Sequence, residues 1–185
     1  MSTKPLLMLV LIGFFAASAV AANAPLLDVD YRPLAGKQPI NLNRSYGGKV
    51  VLVVNTASKC GNTPQYAGLE ALNQRFGSRG FAVLGFPSND FQGQEPGSEQ
   101  QIQEFCTLTY GVKFPMFEKV HVLGKDATPL YQRLTQATGV APDWNFHKYL
   151  IGRDGRVAEQ FSSKIKPDDP RVLAAIERAL QAPSR

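Results

Sequence analysis

Lys49-Val50-Val51-Leu52-Val53-Val54-Asn55 runs into Thr56-Ala57-Ser58-Lys59-Cys60-Gly61-Asn62-Thr63-Pro64, and the reading of this stretch decides the fold. A continuous β-branched run marks a strand buried on both faces of a sheet. Pro64 then opens a helical pattern, with Tyr66, Leu69, Leu72 and Phe76 at helical spacing and Gly77 and Gly80 closing it. Phe81 to Phe86 reads as a second buried strand. The three pieces make a β-α-β unit, for which a right-handed crossover is expected.

Working outward, Leu26 to Pro39 mixes apolar residues with Pro33, Gly36 and Pro39 and reads as a short hairpin. On the other side, Pro87 to Gly97 is a loop. Ser98 and Glu99 start a helix reaching Tyr110. Met116 to Leu123 reads as a strand, and Thr128 to Ala137 as a helix with Pro129 in its first turn. Lys148–Ile151 and Arg156–Phe161 flank Arg153-Asp154-Gly155, a hairpin signal. Pro170 to Gln181 is an amphipathic helix with Val172, Leu173, Ile176 and Leu180 on one face. The order predicts an α/β fold of thioredoxin-like layout: a central mixed sheet flanked by helices, with an N-terminal β-hairpin.

The chain has 185 residues, 44% of them hydrophobic and 19% charged, the balance of one globular domain, placed at 26–182. Residues 1–22 read as a signal peptide: Lys4, an apolar run from Leu6 to Ala17, then Ala19-Val20-Ala21 before a cut after Ala21 or Ala22. The alternative is an uncleaved anchor, which the short apolar run disfavours. No cysteine follows the run, so no lipid anchor is indicated. The expectation is an exported protein, periplasmic or secreted, with no membrane attachment after cleavage. The formal charge is +5, carried by scattered lysines and arginines, and removal of Lys4 leaves +4. There is no basic block, so nucleic-acid binding has no specific support.

Cys60 and Cys106 are the only cysteines. Two are too few for a disulfide scaffold. With His121 and His147 they offer no close ligand pair, so no metal is expected. Cys60 sits between a strand and a helix, beside unpaired amides and the positive end of a helix dipole, which favours thiolate. The alternative is an inert buried thiol. Thr63 stands where a dithiol motif would place a second cysteine.

Asn55-Thr56-Ala57-Ser58-Lys59-Cys60-Gly61-Asn62-Thr63-Pro64-Gln65-Tyr66 closely resembles the active-site segment of the glutathione peroxidase family. So do Gly85-Phe86-Pro87-Ser88-Asn89-Asp90-Phe91 with Gln94-Glu95-Pro96-Gly97, and Trp144-Asn145-Phe146-His147-Lys148-Tyr149-Leu150. The match holds in order and spacing across Leu26 to Leu180. The resemblance implies a thioredoxin fold and a peroxidase without a cofactor. Cys60 takes the place of the peroxidatic residue, attacking the O–O bond and becoming a sulfenic acid. Trp144 and Asn145 match the family's Trp-Asn pair, whose N–H groups donate to a thiolate or a leaving alkoxide. The segment around Cys106 resembles the one carrying the resolving cysteine in the thioredoxin-dependent branch. The alternative for Cys106 is a helix-core residue, with resolution by an external thiol such as glutathione.

Asp90 is a departure: the family has Gln there. An ionised Asp donates no hydrogen bond, and beside the sulfur it would disfavour the thiolate. Three outcomes stay open: a protonated donor, a side chain turned away with Asn89 or water substituting, or a base. Asp90→Gln is expected to speed peroxide attack. His121 and His147 read as surface or packing residues. The short stretch from Gln136 to Asp143 resembles monomeric members. The expected partners are a hydroperoxide and a thioredoxin-like protein or glutathione, although no arginine clamp for glutathione is readable. The competing functions are a redox relay or sensor that oxidises client thiols, and a non-catalytic binding protein on the same fold.

Overall fold

The computed structural model describes residues 25–183. The segment read as a signal peptide lies outside them. Among the described residues no helix is long and apolar enough to cross a membrane.

The Val-rich run forms β3 (Val50–Thr56), and all seven of its residues are buried. Its neighbours in the sheet are β4 (Phe81–Pro87), parallel to it, and β5 (Lys148–Ile151), antiparallel. β6 (Val157–Phe161) pairs with β5, so the strand order is β4-β3-β5-β6. Because side chains alternate along a strand, β3 feeds two cores. Val50, Leu52 and Val54 pack with Tyr66, Leu69, Leu72 and Phe76 of α2 (Gln65–Phe76), and with Val172 and Ile176 of α5 (Pro170–Gln181). Val51 and Val53 pack on the other face with Leu130, Tyr131 and Leu134 of α4 (Pro129–Thr138). Each such aliphatic side chain contributes roughly 1.5–3 kcal/mol through burial, so β3 is the most heavily anchored element.

The remaining elements follow from local chemistry. β1 (Asp30–Tyr31) and β2 (Ile40–Asn41) form the expected N-terminal hairpin. A short helix that the periodicity did not suggest, α1 (Leu42–Tyr46), follows, with the Asn41 side chain accepting from Arg44 N at its start. α3 (Glu99–Tyr110) begins in a capping box between Ser98 and Gln101 and ends on Gly111 at φ 61°.

The strand expected over Met116 to Leu123 is a correction. Only two isolated bridges form there, Gly85 with Met116 and Pro33 with Phe117. The reason lies in its amides, several of which are held off the sheet. Lys119 N donates to the Glu99 carboxylate, and Val122 N and Leu123 N to Asp90. A strand cannot propagate when its ladder donors are held by side chains.

Candidate active site

Parallel pairing of β3 and β4 brings their C-terminal ends to one edge of the sheet, and antiparallel β5 starts at that same edge. The three segments quoted above therefore converge. Ser88 N donates to Thr56 O, Lys59 N to Gln94 O, and Phe146 N to Asn55 O at 2.7 Å. Asn55 Nδ2 returns a bond to Trp144 O. Phe146 is fully buried at φ 72°, an uncommon conformation for a bulky residue. It turns the chain so that Trp144 and Asn145 precede β5 at this edge.

Cys60 lies in the turn that leads to α2 and is half-buried. Thr63 Oγ1 accepts from Cys60 N at 3.0 Å and donates to Ala57 O at 2.9 Å, pinning the turn. Thr63 thus serves the backbone at the place a second thiol would occupy. Asn62 N donates to Cys60 Sγ at 3.3 Å. An amide donor on the sulfur stabilises the thiolate more than the thiol.

Asn62 and Gln94 are the residues the sequence reading missed. Asn62 Nδ2 donates to Asn145 O at 3.2 Å, and Asn145 Nδ2 donates to Gln94 Oε1 at 2.9 Å. Asn145 is fully buried. Trp144 packs against Phe91, with ring centroids 5.2 Å apart. The sequence did carry a signal: Gln94 lies inside the quoted Gln94-Glu95-Pro96-Gly97 segment, and Asn62 two residues after Cys60. Glu95 is buried, accepts from Ser58 Oγ, and its carboxyl is raised by that burial.

Asp90 is turned away from this group. Its carboxylate accepts from Val122 N at 2.6 Å and Leu123 N at 3.2 Å, and pairs with His121 Nδ1 at 2.7 Å. Asn89 does not substitute for it, since Asn89 Oδ1 accepts from Glu95 N. The repulsion on which a faster Asp90→Gln variant rested is therefore not set up here. Asp90→Gln is instead expected to leave peroxide attack within about threefold while costing roughly 1.5–3 kcal/mol, the range for hydrogen bonds to a charged group. Stopped-flow rates beside urea melts check this; a large rate change would return Asp90 to the chemistry.

Behind the Trp-Asn pair, the Asp143 carboxylate accepts from Ser162 Oγ and Ser163 N and pairs with His147 Nδ1. Burial works to raise the Asp143 carboxyl, but these hydrogen bonds outweigh it and hold it at about 2. Burial lowers the His147 ring, with Asp143 opposing. Lys148 is buried with its Nζ on the Phe146 and Ile165 carbonyls, and burial lowers it to about 7. These groups fix the strand that presents Asn145.

Cys106 is fully buried on α3, in the same core that Cys60 borders. Burial pushes its thiol up to about 11, with the Tyr66 hydroxyl partly offsetting and Glu95 adding to the rise. Ile102 and Cys106 are the buried residues of this helix, while Leu108 is 84% exposed. A cavity of about 410 Å³ separates Ser58 and Lys59 from Ile102 and Phe105 of α3, with Glu95 and Pro96 in its wall. Both cysteines are free thiols.

A cysteine turn at the edge of a thioredoxin-like sheet, its sulfur accepting from the Asn62 amide, is the arrangement of a thiol-based oxidoreductase. The chain belongs to the glutathione peroxidase family, whose model matches residues 26–135. It is 52% identical over 147 residues to the hydroperoxy fatty acid reductase gpx1 of Synechocystis, covering 74% of this chain and 86% of that protein. It is 46% identical over 159 residues to the thioredoxin/glutathione peroxidase BtuE of Escherichia coli, covering 73% and 87%. Among solved structures it is similar to apo Trgpx, with TM-score 0.71 and 35% identity over 88% of this chain and 100% of that one. T. cruzi GPX1 aligns with TM-score 0.66 and 27% identity over 85% and 97%. The protein is accordingly a thiol peroxidase that reduces hydroperoxides.

Proposed function

We propose that this peroxidase runs a two-cysteine cycle, exported and monomeric, with a thioredoxin-like protein as reductant. The observation that carries the reading is the Cys60 turn, where a half-buried sulfur accepts the Asn62 amide at the edge shared with Trp144 and Asn145.

The Cys60 thiolate attacks one oxygen of ROOH. The O–O bond breaks, an S–O bond forms, and RO⁻ leaves and takes a proton to become ROH. Sulfur gives up two electrons. Trp144 and Asn145 donate to the leaving oxygen in this cycle, the role that the family's Trp-Asn pair implies. The Cys106 thiolate then attacks the sulfenic sulfur, forming the disulfide and releasing hydroxide, which becomes water. A dithiol reductant supplies two electrons by exchange and restores both thiols. No bound cofactor enters any step. The apolar side of the neighbouring cavity, at Pro96, Ile102 and Phe105, suits an organic hydroperoxide, in keeping with the name of the Synechocystis relative.

The reductant is tested by stopped-flow reduction of peroxide-oxidised protein. Reduction by thioredoxin is expected to exceed that by glutathione at equal thiol by about tenfold or more, because a dithiol completes the exchange within one complex. Equal or faster reduction by glutathione contradicts the thioredoxin assignment. Support for export rests on the apolar run from Leu6 to Ala17 followed by Ala19-Val20-Ala21, and an N-terminus at Ala22 or Asn23 in the mature protein is the corresponding result.

A further inference from the structure

We propose that Glu70 is a latch on the resolving step: from α2 its carboxylate holds shut the segment that opens before Cys106 can reach Cys60. The inference rests on the two-cysteine cycle.

Glu70 is 5% exposed and sits on the helix that leads away from the Cys60 turn. A carboxylate so placed needs hydrogen-bond donors. Its Oε2 accepts from two consecutive amides, Lys113 N at 2.8 Å and Phe114 N at 3.1 Å. Its Oε1 accepts from Gln74 Nε2 at 2.8 Å. Attack on peroxide uses none of these bonds.

What they hold is the chain directly after α3. Gly111 N and Val112 N close on the Cys106 carbonyl at the end of that helix. The next two amides are the pair on Glu70. Tyr66, one turn before Glu70 on α2, packs on Tyr110 and Phe114 with ring centroids 5.6 and 6.4 Å apart. The far end of α3 is tied separately, by the Ser98–Gln101 capping box and by Glu99 to Arg32 and Lys119 N. Opening therefore falls to the end that carries Cys106. Once that end leaves the core, the Cys106 thiolate attacks the Cys60 sulfenic sulfur. The S–S bond forms as the S–O bond breaks, and hydroxide takes a proton to leave as water. A charged acceptor shared by two amides makes the release costly.

The test reads opening and resolution separately, on the full chain. With Cys60→Ser, Cys106 is the one thiol left, and its labelling by dithionitrobenzoate measures how often the segment opens. Glu70→Gln keeps the shape and removes the charge, and is expected to speed that labelling about tenfold. Glu70→Asp, which keeps the charge but retracts it from the two amides, is the second variant should the first fold poorly, with the same expectation. Ile151→Val trims the core on the opposite face of the sheet and is expected to leave labelling within about twofold, because it weakens the whole fold and not this segment. With both cysteines present, one equivalent of hydrogen peroxide and rapid acid quench should show the Cys60–Cys106 disulfide forming about tenfold faster in Glu70→Gln, with sulfenic acid formation unchanged within about twofold. Labelling within about twofold of the parent, or raised equally by Ile151→Val, overturns the latch. So does faster labelling without faster disulfide formation. A parent that forms no Cys60–Cys106 disulfide with peroxide removes the two-cysteine cycle and this inference with it. A parent that forms it, with a Glu70→Gln variant no faster, removes the latch alone.

Discussion

Cys60→Ser is expected to abolish hydroperoxide reduction, with a loss of about a thousandfold or more, while leaving the fold intact. A serine hydroxyl is far less ionised than a thiol and is a poor nucleophile toward O–O bonds, and removing a nucleophile usually costs at least this much. The position tolerates the change: Cys60 is half-buried, and the turn around it is held by backbone bonds to Thr63 Oγ1. Stability should change by less than about 1 kcal/mol, as is usual away from packed cores. Coupled peroxidase assays beside thermal melts check both halves. A variant with more than a tenth of the parent activity would mean that another group reduces the peroxide.

Cys106→Ser has the second largest effect, and it is selective. Turnover with thioredoxin is expected to fall about a hundredfold, since the disulfide that the reductant exchanges with is lost. The first step, attack of Cys60 on peroxide, should stay within about twofold. The geometry explains why the two steps separate. Cys106 is sealed in the core with its thiol held near 11 by burial, so at neutral pH it is an unreactive thiol until α3 opens. Opening is local. α3 is held to the core by the buried Ile102 and Cys106 with Phe105 and Tyr110 packed beside them, and the amide of Val112 caps the Cys106 carbonyl at the C-terminal end of the helix. The Glu70 carboxylate fastens the chain just beyond, accepting from Lys113 N and Phe114 N. Disulfide formation should therefore be slower than sulfenic acid formation in rapid-mixing traces. Unchanged turnover of the variant with thioredoxin would assign resolution to the reductant itself and remove Cys106 from the cycle.

What could be read without coordinates follows a physical line. The Val50–Val54 run carries its meaning in composition alone, because a strand buried on both faces needs apolar residues at every position. Pro170–Gln181 was equally plain from its apolar stripe of Val172, Leu173, Ile176 and Leu180, and the structure adds the Asp169 cap at its start. Cys60, Trp144 and Asn145 were assigned by motif, and the structure brings their two segments to one edge of the sheet. The unread parts depend on long-range partners. Met116 to Leu123 has the apolar pattern of a strand, but Glu99 and Asp90 reach its amides from elsewhere in the chain, and no local rule encodes that. Asp90 was placed in the site by its motif position, whereas its carboxylate faces the amides of Val122 and Leu123, 32 and 33 residues further on. Gln94 and Asn62 stand inside the quoted segments, but it is their hydrogen bonds to Asn145 that distinguish them from the loop residues around them.

Sulfenic acid trapping tests the central claim most directly. The Cys106→Ser protein is mixed with one equivalent of hydrogen peroxide in the presence of dimedone, and the product is mapped by peptide mass spectrometry. The account predicts a single dimedone adduct, on Cys60, in near-stoichiometric yield. Peroxide consumed without an adduct on Cys60, or Cys60 recovered as the free thiol, would contradict it.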